Sequence, residues 1–154
     1  MILREQIKSY VPYNEQEEKD KEMMLKYIDT FEDVLTRKNE MCHFTASNWI
    51  VNKEKTKVIM IYHNIYNSWA WTGGHADGES NLLNVALFVP FHLHLDCCFL
   101  LEADENDELR IKADENSGVK WIDINKAIQL TNEEKMKPIY KKLNDKIYKE
   151  IENK

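Results

Sequence analysis

The chain has 154 residues, 43% of them hydrophobic and 31% charged, which supplies enough apolar mass for the core of one domain. Its formal net charge of -6 argues against a surface built for the phosphate backbone of nucleic acid, which calls for clustered Lys and Arg. No apolar run is long enough to cross a bilayer, and residues 1–10 lack the apolar stretch of a signal peptide. Cys42, Cys97 and Cys98 show no CxxC spacing, and the adjacent pair would point to opposite faces of a strand. These features predict a cytoplasmic chain with neither nucleic acid nor membrane as partner.

Taken in chain order, residues 1–40 read as an N-terminal helical segment of a single domain spanning 1–154. Residues 12–14 form a turn-like opening. Met24, Tyr27, Ile28, Phe31, Val34 and Leu35 then recur at helical spacing within the charge-rich stretch 15–37. Aromatic and β-branched content predicts a strand over 44–51, a polar turn follows at 52–56, and the apolar run 58–62 reads as a second strand. Residues 64–72 read as an aromatic loop carrying Tyr66, Trp69 and Trp71. A third strand is expected over 92–101, with short strands at 109–112 and 119–122. Asp123 is placed to cap a helix through 130, and Thr131 with Glu134 forms a capping box for the last helix. Pro138 inside that pattern predicts a kink or a later start.

Glycine is the sharpest compositional signal. Only four occur, and Gly73, Gly74 and Gly78 share one short segment. Glycines cluster where the backbone turns tightly or approaches a ligand closely. Residues 80–87 can form one apolar helical face, with Ser80 or Asn81 at its start. Strand, aromatic loop, glycine turn and helix N-terminus in that order aim backbone N–H groups at one place, which suits an anion. A plain strand-to-helix turn would have the same pattern.

The segment Trp69-Ala70-Trp71-Thr72-Gly73-Gly74-His75-Ala76-Asp77-Gly78-Glu79 resembles the opening of a Nudix box. Residues 115–122 followed by a short helix are similar to the late strand and helix of that family. The resemblance implies an α/β fold, a mixed sheet with flanking helices. It implies hydrolysis of a nucleoside-diphosphate-linked or related pyrophosphate with Mg²⁺ as cofactor. By the same resemblance, Glu79 is the catalytic carboxylate and Asp77 and Glu79 are metal ligands. Trp71, Gly73, Gly74 and His75 would bind the small nucleotide-like substrate.

The box then breaks off. Counting from Gly73 puts Leu87-Phe88 where the family has Arg-Glu, and counting from Gly74 puts Phe88-Val89 there. No acidic residue lies between Ser80 and Asp96. The chain reads as having lost part of the central βα unit between about Leu87 and Pro90. Magnesium takes oxygen ligands, and carboxylates three or four apart on one helix face supply them together. Two loop carboxylates are a poor substitute, so this chain is expected to be weak or inactive as a hydrolase. The alternative is a non-catalytic module that binds a nucleotide or a partner. A shortened helix exposing Leu82, Leu83 or Leu87, beside an unpaired strand edge, predicts a homo-oligomer.

His92, His94 and Asp96 alternate and so share one face of the predicted strand. Such a face can hold a transition metal, but a polar outer face alternating with Leu93, Leu95 and Cys97 is the favoured reading. His63 and His75 flank the aromatic loop; either could touch a substrate, but lone histidines near turns are more often surface residues. Trp69, Trp71 and Tyr66 fit either a base-stacking surface or the edge of a core.

Overall fold

The computed structural model describes residues 2–76 and 93–152. Its elements run α1 (Ile2–Ser9), α2 (Glu15–Thr30), β1 (Cys42–Val51), β2 (Lys57–His63), β3 (Ser68–Ala70), β4 (Thr72–His75), β5 (Leu93–Glu102), β6 (Asn116–Asp123), α3 (Ile124–Leu130) and α4 (Lys137–Glu152). The fold is mixed α and β, one six-stranded sheet with flanking helices, as the sequence predicts. The region read as a lost βα unit, with the predicted helix over 80–87, lies outside the described residues.

Strands β3, β2, β1 and β4 are neighbours in that order, β5 pairs with β1, and β6 pairs with β2. The β2 pairings with β1, β3 and β6 are antiparallel. On β5 the bonds advance with β1: Leu93 N–H donates to Met41 O and Ala103 N–H to Val51 O, both at 3.0 Å. Two partners moving forward together is the pattern of strands running in one direction.

The chain divides into two compact units, Met1–Ser47 with Gly73–Cys98, and Asn48–Thr72 with Phe99–Lys154. In the first, α1 packs on α2. Asn14 caps α2 by accepting the Glu17 N–H at 2.9 Å. The Glu17 carboxylate reaches back to the Tyr13 N–H at 2.8 Å and the Tyr10 hydroxyl at 2.6 Å, a reciprocal cap that satisfies the buried acid. The helix stops at Thr30 rather than near 37, with Phe31 in an extended conformation as its C-cap. Val34, read as part of the helical stripe, is instead buried in a turn and pinned when the Phe44 N–H donates to its carbonyl at 2.8 Å.

The second unit holds the larger core: Trp49, Val51, Val58, Met60, Ile122, Ile124, Ala127, Tyr140 and Ile147. The Trp49 and Tyr140 rings stack at 4.9 Å. Asn144 joins this core by accepting the Trp49 Nε1–H at 3.2 Å and donating to Ile124 O at 2.9 Å. Asp123 caps α3 as expected, accepting the N–H groups of Asn125 and Lys126 at 3.0 and 3.2 Å.

Four local expectations change. The aromatic loop contains β3, because Asn67 adopts φ +49 and closes a hairpin with β2, a backbone region that Asn tolerates. Gly73 and Gly74 lie within β4 and form no turn. No strand forms at 109–112. Thr131 ends α3 instead of starting α4, which begins at Lys137 with Pro138 in its first turn, where a missing N–H costs nothing. No helix among the described residues is long and apolar enough to cross a membrane.

Candidate functional site

Successive side chains on a strand alternate faces, so His43, Thr45 and Ser47 of β1 share one face, as do His94 and Asp96 of β5. The pairing of β5 with β1 brings these rows together. Thr45 Oγ1 and Ser47 Oγ donate to Asp96 Oδ1 at 2.7 and 2.9 Å. Burial pushes the Asp96 carboxyl above its ordinary range, and the two hydroxyl bonds oppose that shift.

The third contributor is β4. Close approach to β1 requires glycine at position 73, since a Cβ there would sit 2.9 Å from both Ala46 O and Ser47 Oγ. The Ala76 N–H donates to Phe44 O at 3.0 Å and holds the strand beside β1. His75 therefore meets His43 and His94. The ring centroids form a nearly equilateral triangle, 4.9 Å for His43–His75, 5.2 Å for His43–His94 and 5.1 Å for His75–His94. One ligating nitrogen from each ring lies within 4.8 Å of the other two. His43 and His75 are buried and His94 is half-buried.

His43 is oriented from behind. Its Nδ1 lies 3.1 Å from Asn39 O, and a carbonyl only accepts, so Nδ1 carries the hydrogen. In the neutral ring Nε2 then holds the lone pair. Asn39 is itself fixed: its Oδ1 accepts the N–H groups of Met41 and Cys42 at 3.1 and 3.0 Å, and its Nδ2 donates to Asp33 Oδ1 at 2.8 Å. Neighbouring thiols are held protonated. Burial, with Asp33 second, raises Cys42, and burial, with Asp96 second, pushes Cys97 up to about 12.

Of the residues predicted from sequence, Gly73, Gly74 and His75 lie on β4 in this arrangement, while Asp77 and Glu79 lie outside the described residues. Trp71 serves the core of the second unit: its backbone N–H donates to the Tyr140 hydroxyl at 3.2 Å and its ring meets Tyr140 edge-on at 5.5 Å. Trp69 is similarly engaged, edge-on to Tyr62 at 5.4 Å with Lys120 Nζ 4.2 Å from its ring centroid. His63 packs on Tyr66 at 4.3 Å, and burial, opposed by Glu115, holds its pKa below the ordinary histidine value. These aromatics fit the core-edge alternative.

His94 and Asp96 do not form the solvated polar face expected of them, because on the same face of the sheet they meet polar side chains of β1 and β4: Thr45 and Ser47 for Asp96, His43 and His75 for His94. His43 was not singled out by the sequence, since nothing short of the three-strand register brings it to His75 and His94. Magnesium is a poor match to this cluster: the three converging donors are imidazole nitrogens, and Asp96, the nearby carboxylate among the described residues, is engaged by hydroxyls. No protein-family model matches the chain, and no curated protein matches it.

Proposed function

We propose that this chain is a Nudix-like module that binds a nucleoside-diphosphate-linked or related pyrophosphate compound with little or no Mg²⁺-dependent turnover. The observation that carries this reading is the setting of Gly73-Gly74-His75. A glycine strand is sealed against β1 and leads in sequence into Asp77 and Glu79, yet its described surroundings offer three imidazoles and one carboxylate, Asp96, that already accepts from two hydroxyls. Water attack on phosphorus needs charge neutralisation and an activated, aligned water, each worth orders of magnitude in rate. A cytoplasmic setting is part of the reading, in keeping with three cysteines that form no disulfide with one another.

A panel of dinucleotide and nucleoside-diphosphate substrates with Mg²⁺ or Mn²⁺ is expected to give turnover no higher than that of Glu79→Gln, while equilibrium dialysis detects binding. Robust metal-dependent turnover that Glu79→Gln abolishes would restore the competing reading, a competent pyrophosphohydrolase. Self-association is also expected, and sedimentation velocity showing a monomer across a wide concentration range would remove it.

A further inference from the structure

We infer that His43, His75 and His94 form a binding site for a divalent transition metal, with Zn²⁺ as its type ion. The site goes beyond the pyrophosphate reading and stands without it.

Geometry is the first support. A metal bonded to imidazole nitrogens at about 2.0–2.1 Å in tetrahedral geometry holds them about 3.3–3.4 Å apart. The three nitrogens already lie within 4.8 Å of one another, so side-chain rotation closes the remaining distance. Interplanar angles of 50°, 43° and 88° show that the rings are not stacked face to face.

Preorganisation is the second. The histidines come from three different strands, and a cross-strand backbone bond lies one residue from each: Ala76 N–H to Phe44 O beside His75 and His43, and Leu93 N–H to Met41 O beside His94. The Asn39 carbonyl that accepts the His43 Nδ1–H, held in place by the Asn39 side-chain bonds to Asp33, Met41 and Cys42, is the kind of outer support that fixes the tautomer and ring orientation of a metal-binding histidine. Three neutral nitrogen donors select borderline ions such as Zn²⁺, Co²⁺ or Ni²⁺ over Mg²⁺. They also leave a fourth position for water or an anionic ligand.

The test is a titration of the full chain with Zn²⁺ against a chromophoric chelator, repeated with Co²⁺ to read visible d–d absorption. One ion per chain is expected, with a Co²⁺ spectrum of low coordination number and no displacement by excess Mg²⁺. His94→Gln changes the half-buried member and is expected to weaken binding by about 100-fold or more, since even outer-shell losses cost about 10–100-fold. Circular dichroism establishes that this variant is folded. Should it fail to fold, Asn39→Ala keeps the carbonyl that accepts from His43 Nδ1–H but removes the amide that holds it in place, and is expected to weaken Zn²⁺ by about 10-fold, the low end for outer-shell losses; unchanged affinity in this variant would also overturn the inference. A variant with Cys42, Cys97 and Cys98 replaced by alanine is expected to bind as the parent does. The inference is overturned if folded His94→Gln binds Zn²⁺ as tightly as the parent, if the cysteine-free variant loses the ion, or if Mg²⁺ displaces it.

Discussion

Asn144→Ala is expected to destabilise the protein by about 2–4 kcal/mol, because it strips partners from two buried groups at once, each costing about 1–3 kcal/mol. Asn144 is 2% exposed, Trp49 is fully buried, and the same amide serves Trp49 Nε1 and Ile124 O. That tie links α4 to β1 and to the start of α3 within the second unit. For a chain of this length the melting temperature should fall by roughly 5–15 °C. A double-mutant cycle with Trp49→Phe isolates the indole bond, since in that background no orphaned N–H remains and the Asn144→Ala penalty should shrink. Equal penalties in the two backgrounds would show that the indole bond contributes nothing.

Gly73→Val is expected to damage both stability and the histidine cluster. The added Cβ would sit 2.9 Å from the Ala46 carbonyl, a backbone atom that cannot swing aside. Overpacking of this kind costs about 1–3 kcal/mol. The strand must move away from β1, carrying His75 with it, so Zn²⁺ affinity should fall with the melting temperature. Gly118→Ala is the contrast: its Cβ would meet the end of the Trp69 side chain at 3.2 Å, a contact that gives more easily, and it lies in the other unit. Thermal melts and the metal titration on both variants decide the point. A Gly73→Val protein that melts and binds metal like the parent would contradict the close-approach role of Gly73.

Much of the sheet was legible because its strands carry the right local chemistry. The runs around 44–51, 58–62 and 119–122 are dense in β-branched and aromatic residues, and each lies within an observed strand. Asp123 was legible as a cap because its carboxylate satisfies the first N–H groups of a helix wherever the fold places it. Where tertiary contacts decide, the sequence is silent. Glycine at 73 reads equally as a turn or as a strand pressed on its neighbour, and only the nearness of Ala46 O distinguishes them. Val34 keeps helical spacing yet is buried by a turn. The histidine cluster is only partly visible in sequence: the alternation on β5 allows a metal but favours a polar outer face, and His75 enters only through the family resemblance, as a substrate-binding residue. Their union with His43 depends on a strand register spanning distant parts of the chain, which periodicity does not encode. His92, the third residue of the recognised row, lies outside the described residues.

The most direct measurement is anomalous diffraction at the zinc edge from crystals of the full chain grown with ZnCl₂. The predicted result is one strong peak bonded at about 2.0–2.1 Å to nitrogens of His43, His75 and His94. Peaks only at surface residues, with the three imidazoles still apart, would contradict it.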